Sequence, residues 1–540
     1  MEAAEGVLAG GLKSTAVVDG IVTTVADIIR YNAALRPEAV ALDFEGRRST
    51  YARFDKRASK VANALRRDGA GPGARVVFFA KNSDWYYEAY IGACKTNAVL
   101  VAVNWRLAGP EVAYIVNDSA AEVLLVGPEF APLIESLLPE MPAVRRIVVL
   151  GEARGEWPGF EDWLADAPET DPKLPTAKED VAIQLYTSGT TGHPKGVMLT
   201  NGNVLEAMKA AERGTYGDWA PGAESLVMCM PNFHVAGSNW GMFGLTVGAT
   251  IHILREVDPA RILAVIEREK ITRALFVPAV ILILVQHPKA KETDFSSLKT
   301  ILYGAAPIPL DLLRIAMATF HCDFVQAYGL TETCGALTSL PPADHDPAGS
   351  PRMRSCGKPL TDVEVQIVDA AGQKLPTGDV GEIVVRAGVN MLGYWRRPED
   401  TAKTIDAEGW LHTGDAGYLD ADGYVYIHDR VKDMIVSGAE NIYPAEVESA
   451  LFGHPAIADV AVIGVPDDKW GEAVKAVVVL KPGADATESE IIAFAKQRIA
   501  AYKAPKTIDF ADSLPRNASG KLLKRELRKP YWAGRDRQVN

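Results

Sequence analysis

The chain has 540 residues, of which 48% are hydrophobic and 23% charged. At about 150 residues per domain this predicts three to four structural units and rules out a disordered or collagen-like polymer. Fifty-seven basic residues against 69 acidic ones leave a net charge of −12. That excludes the basic face needed for bulk nucleic-acid binding, but not a small anionic ligand met by local loops.

Residues 57–66 carry helical periodicity, 76–79 read as a strand, 85–95 as an amphipathic helix and 99–103 as a strand. A helix over 111–116 and strands over 123–126 and 147–150 follow. Short apolar runs alternating with helical patterns indicate βαβ units and a parallel sheet. A polar, proline-rich stretch over 165–179 precedes a second alternating run. Its strands fall at 181–185, 226–230, 250–254, 274–277 and 300–303, with helices at 203–211, 259–270 and 310–320.

Beyond residue 351 the pattern changes to period-two alternation at 363–368, 381–385 and 424–427, which reads as antiparallel, half-exposed strands. From residue 433 an α+β texture returns, with helices at 445–451 and 488–500 and strands at 460–465 and 474–480. The expected fold is α/β: two doubly wound α/β subdomains and a small β-rich subdomain form a large N-terminal domain. A smaller, mobile C-terminal α+β domain follows.

The five cysteines stand apart, without CxxC spacing, so neither a disulfide framework nor a zinc site is expected. Met1-Glu2-Ala3-Ala4-Glu5 lacks the basic start of a secretory signal. The longest nearly apolar stretch, residues 276–285, is half the roughly 20 residues of a membrane span. A cytoplasmic protein with no transmembrane segment is expected, with the oligomeric state open between monomer and homodimer.

The densest local signal is Tyr186-Thr187-Ser188-Gly189-Thr190-Thr191-Gly192-His193-Pro194-Lys195-Gly196. Glycines let backbone N–H groups approach an anion, hydroxyls add donors, and Lys195 adds a compact positive charge. The Walker A spacing is not met, because Gly196 follows Lys195. The composition suits a polyphosphate, on a loop after the strand.

This string resembles the signature of the acyl-adenylate-forming enzymes, and the resemblance extends from about Thr24 to Arg528. It implies ATP, Mg²⁺ and coenzyme A as cofactors, and a fatty-acyl-CoA synthetase as the type of enzyme. Thr187, Ser188, Gly189, Thr190, Thr191, Gly192 and Lys195 would then hold the phosphates. Tyr328-Gly329-Leu330-Thr331-Glu332 resembles the second core motif: Tyr328 would pack on adenine, Thr331 would contact the α-phosphate, and Glu332, with Thr187, would hold Mg²⁺. Gly304, Ala305, Ala306 and Pro307 would lie against the adenine and the acyl carboxylate, flanked by Gln326 and Ala327.

Asp415, in Thr413-Gly414-Asp415, would accept two hydrogen bonds from ribose, with Ile427 and Arg430 nearby. Lys432 matches the hinge position, which implies an N-terminal domain over 1–431 and a mobile one over 432–540. Gly438, in a Ser-Gly-Ala-Glu-Asn string, would line the thiol channel, and Asn441 would approach the reacting carboxylate. Lys521, in Ser519-Gly520-Lys521, matches the catalytic lysine.

His234 resembles a gate between the acyl site and the thiol channel. Phe233, Ala236, Gly237, Val277, Pro278, Tyr303, Gly329 and Cys334 are expected to wall a largely apolar pocket, roomy because Ala236, Gly237 and Ser238 are small. Residues 225–255 hold no Asp or Glu, which argues against an amino-acid substrate, whose buried ammonium would lack a partner. The implied activity is formation of a fatty acyl-adenylate, then of the CoA thioester. Alternatives are an aryl, cinnamate-type or steroid side-chain acid, and delivery of the acyl group to a carrier protein.

Overall fold

A computed structural model describes residues 16–187, 194–430, 433–437, 440–467, 469–516 and 522–533. Two large sheets form its centre. Among the described residues, one has seven strands in the spatial order 393–394, 195–200, 181–187, 99–102, 75–79, 123–126 and 146–149. The other has nine, in the order 358–359, 338–340, 323–328, 300–304, 273–276, 225–228, 250–253, 40–44 and 47–50. The middle strands of both are parallel, and strands such as Val99–Ala102 and Val123–Val126 are buried throughout. Burial on both faces explains why they are continuous apolar runs rather than alternating ones.

The two sheets do not follow one another along the chain. Val181–Thr187 and Lys195–Thr200 belong to the first sheet, although they come after the proline-rich stretch. Val40–Phe44 and Arg47–Thr50, a hairpin near the start, close the edge of the second. Its turn places Glu45 and Gly46 both at positive φ (49° and 85°), the two-residue geometry that matches strand twist. The two wound sheets are thus interleaved along the chain rather than built from successive stretches of it, since strand partnership is decided in space.

Helix Asp84–Lys95 contacts strands of both sheets and is buried along almost its whole length. Its last residue, Lys95, has a fully buried side chain whose Nζ lies 2.7 Å from Asp55 Oδ1 and 3.0 Å from Asp171 Oδ2. A buried ammonium is tolerable only with such partners. Asp171 also binds Arg30 at 2.8 Å, so the proline-rich stretch is strapped onto the first helices rather than free.

The third sheet, Val363–Val368, Gly381–Ala387, Leu411–Leu419 and Val425–Arg430, is wholly antiparallel. The strands of the fourth lie between Ile435 and Phe510 and enclose a separate core that includes Ile435, Val447, Val462, Val474 and Ile491. At the junction, the His428 ring stacks on Tyr443 with centroids 4.3 Å apart. No helix among the described residues is long and apolar enough to cross a membrane.

Candidate active site

The candidate phosphate loop joins two antiparallel strands. Thr187 and Lys195 are cross-strand partners at its two ends, followed by Tyr186 and Gly196. Ser188, Gly189, Thr190, Thr191 and Gly192 lie outside the described residues, as do Lys432, Gly438 and Lys521. Arg430 and Asn441 are placed by their backbones alone: Arg430 pairs with Asp415, and Asn441 with Val436.

Lys195 faces a segment outside the recognised motifs. The two-residue strand Gly393–Tyr394 pairs antiparallel with Met198 and Val197. Trp395 N–H donates to Gly196 O at 2.8 Å. Lys195 Nζ sits 5.0 Å from the Tyr394 ring centroid and 3.1 Å from Asp400 Oδ1. The Tyr394 hydroxyl donates to Glu332 Oε1 at 2.9 Å, and Met391 N–H donates to Glu332 O at 2.8 Å. One short segment thus brings the loop lysine and the motif carboxylate together.

Two sheets meet at the residues expected to hold the nucleoside. Tyr328 ends a strand of the second sheet, and its hydroxyl donates to Asp415 Oδ2 at 2.7 Å. Burial, then the Asp415 charge, push the Tyr328 hydroxyl well above its ordinary pKa, so it remains a donor. Asp415 is 5% exposed; its N–H donates to Thr413 Oγ1, which in turn donates to Ile383 O. Glu382 supports the same turn, accepting from Gly414 N–H at 3.0 Å and holding His412 Nδ1 at 2.9 Å. Gln326 and Ala327 lie on the Tyr328 strand, and Gly304 pairs with Ala327. Ala305, Ala306 and Pro307 follow as a turn, with Ala305 at φ 65°. Ile427 lies on the strand that pairs with the Asp415 strand.

Glu332 and Thr331 occupy a single 3-10 turn behind Gly329. A Cβ on Gly329 would fall 1.6 Å from Gly335 O, so backbone approach demands glycine here. Gly329→Ala should destabilise the fold by about 1–3 kcal/mol or more, as overpacking does. It should also lower activity beyond that loss, by displacing Tyr328 and Glu332. A melting temperature and turnover both equal to wild type would refute this.

Of the expected pocket wall, Val277, Pro278, Phe233 and Cys334 are buried, while His234 and Ala236 are partly open. His234 caps helix Val235–Thr246, its ring 4.6 Å from that of Phe233. Burial pushes the Cys334 thiol up to about 12, which suits an inert wall. The smallness of Gly237 and Ser238 serves packing rather than pocket width. A Cβ on Gly237 would lie 2.2 Å from Pro231 O, and Ser238 Oγ accepts from Tyr86 at 2.8 Å.

Tyr303 is 1% exposed and its hydroxyl lies 3.0 Å from His345 Nε2. His345 Nδ1 donates to Pro341 O at 2.9 Å, leaving Nε2 to accept from Tyr303. Burial holds the His345 pKa below its ordinary 6.5. As pH falls below that value the unfolded chain takes up the proton first, so stability drops with acidification. The melting temperature should therefore fall less between pH 7 and 5.5 in His345→Gln than in wild type; equal falls would refute the assignment.

Among the described residues Asp43, His252 and Glu269 form the one cluster spaced for a metal. Arg48 already binds both carboxylates, at 3.2 and 3.1 Å.

Two wound α/β sheets thus frame a candidate site in which Tyr394 joins Lys195 to Glu332 and Tyr328 meets Asp415. The chain belongs to the AMP-binding enzyme family, which it matches over residues 29–395, with the C-terminal domain of those enzymes at 446–521. It is 40% identical over 522 residues to a fatty acid–[acyl-carrier-protein] ligase of Streptomyces coeruleorubidus, covering 96% of this chain and 98% of the relative. It is 38% identical over 506 residues to a feruloyl-CoA synthase of an Amycolatopsis species, covering 92% and 97%. Its fold matches the anthranilate CoA ligase AuaEII in complex with anthranoyl-AMP with a TM-score of 0.87 at 30% identity, covering 94% and 97%. The chain is thus an AMP-forming ligase of the acyl-CoA synthetase type, with ATP as its nucleotide.

Proposed function

We propose that the chain activates a hydrophobic carboxylate, in the first place a fatty acid, and passes it to the thiol of coenzyme A. The observation that carries this reading is the convergence of Lys195, Glu332, Tyr328 and Asp415 from three sheets. A carboxylate oxygen attacks the α-phosphorus, forming one P–O bond and breaking that to the β-phosphate, so pyrophosphate leaves. The thiol sulfur then attacks the acyl carbonyl, AMP departs, and the thiol proton passes to solvent. Tyr328 holds adenine and Asp415 the ribose. Lys195, Thr187 and the loop hold the phosphates.

The donor set suits Mg²⁺, a hard cation that takes few carboxylates plus phosphate oxygens. Glu332 and Thr187 would hold it, and its charge would offset that of the pyrophosphate. Lys521 neutralises the meeting of two anions, and the domain over 432–540 turns about Lys432 to bring Gly438 and Asn441 to the site. The apolar wall around Val277, Pro278 and Cys334 and the acid-free stretch 225–255 favour an uncharged tail.

The name of the 40%-identical relative favours a second acceptor, a carrier protein, and that of the 38%-identical one favours an aryl acid. Pyrophosphate release should be measured with ATP, Mg²⁺ and a panel of fatty, cinnamic and benzoic acids, then thioester formed on coenzyme A or a carrier. Release with a fatty acid and a CoA product is expected. No pyrophosphate with any acid would overturn the reading.

A further inference from the structure

We infer that Asp400 competes with the polyphosphate for Lys195, and so sets how tightly ATP and pyrophosphate are held. This rests on the phosphate role given above to Lys195. Lys195 Nζ lies 3.1 Å from Asp400 Oδ1. The side chains are 14% and 25% exposed. The pair is therefore screened less than one in open solvent, whose worth is close to nil.

Asp400 is held in place by its surroundings. It lies in the first turn of helix Pro398–Thr404. The next residue, Thr401, accepts from Tyr394 N–H at 2.9 Å and donates to Arg397 O at 2.9 Å. That clamps the helix to the strand beside Lys195. The carboxylate is thus fixed relative to the cation, while the lysine stem is flexible and its ammonium a point charge with rotatable donors. The mobile partner is the one that can change ligands.

A polyphosphate at this loop adds several negative charges beside Asp400. Either Lys195 stays shared with Asp400 and gives the phosphate less, or it swings across and leaves the carboxylate without its cation. Both outcomes subtract from affinity. After bond cleavage the sign reverses in usefulness: Asp400 takes the lysine back as pyrophosphate departs. Tyr394 ties this exchange to the second phosphate-side group. Its ring lies beneath Lys195, and its hydroxyl holds Glu332.

The test is equilibrium binding of pyrophosphate and of α,β-methylene-ATP, both with Mg²⁺, to the full chain. Asp400→Asn should bind both about three- to tenfold more tightly than wild type, the scale of one partly exposed ion pair. Asp400→Glu should stay near wild type, and adenosine, which has no phosphate, should bind all three alike. Lys195→Met should weaken binding, and in that background Asp400→Asn should add nothing. Unchanged or weaker binding by Asp400→Asn would overturn the inference. So would a gain that persists without the lysine, which would mark plain repulsion. A wild-type chain that binds neither ligand would overturn the phosphate site itself. A wild type that binds them but is insensitive to residue 400 would overturn this inference alone.

Discussion

Lys521→Ala should abolish acyl-adenylate formation from acid and ATP while sparing thiolysis of supplied acyl-AMP. The first step brings a carboxylate against the α-phosphate, two anions in one cleft, and a cation placed between them acts only while the charges meet. Losing one such placed group costs about 10²–10³ in rate, roughly 3–4 kcal/mol. The second step has a neutral carbonyl as electrophile and no such meeting, so the lysine is not needed there. Pyrophosphate release and thioester formation from synthetic acyl-AMP should be measured on the same preparation. An equal fall in both would refute the assignment and mark a general structural role.

Asp415→Ala should cost nucleotide affinity more than any other single change on the nucleoside side. The carboxylate is 5% exposed and already receives the Tyr328 hydroxyl at 2.7 Å. Its loss removes a charge-assisted acceptor for the ribose and the carboxylate that accepts from the buried Tyr328 hydroxyl. Each of those terms is about 1–3 kcal/mol, so the KM for ATP should rise on the order of 100-fold. Asp415→Asn keeps an acceptor for Tyr328 and should lose less. Tyr328→Phe should lose less still, since the ring that packs on adenine remains. Equal ATP affinity in Asp415→Ala and wild type would remove this residue from the ribose site.

These expectations draw unequally on sequence and structure. Thr187 and Lys195 were legible because anion binding by backbone N–H groups demands glycine and hydroxyl residues in a dense local string. Tyr328, Glu332 and Asp415 were candidates through the resemblance of their strings to the motifs of acyl-adenylate-forming enzymes, since five-residue runs of this kind are weak signals alone. Tyr394 and Asp400 were not legible. Their partners Glu332 and Lys195 lie 62 and about 200 residues away, and nothing in a Gly-Tyr-Trp or Pro-Glu-Asp string names a distant ligand. The size of Gly237 was read as pocket space, whereas the Pro231 carbonyl occupies the place of its Cβ.

By itself the sequence determined the class of the elements it named, though it named neither helices Val25–Leu35, Val235–Thr246 and Pro278–Gln286 nor strand Lys195–Thr200, and it showed the anion-suited composition of residues 187–196 and the change from parallel to antiparallel texture after residue 351. All of these follow from local periodicity and local composition. Only the tertiary structure decided which strands share a sheet, since fully buried parallel strands look alike from end to end. It alone joined Val40–Thr50 to one sheet and Val181–Thr200 to the other. It alone set Lys195 between Asp400 and Tyr394, and Tyr328 against Asp415. Ion pairs and hydrogen bonds act over a few ångströms of space, whatever the length of chain between the partners.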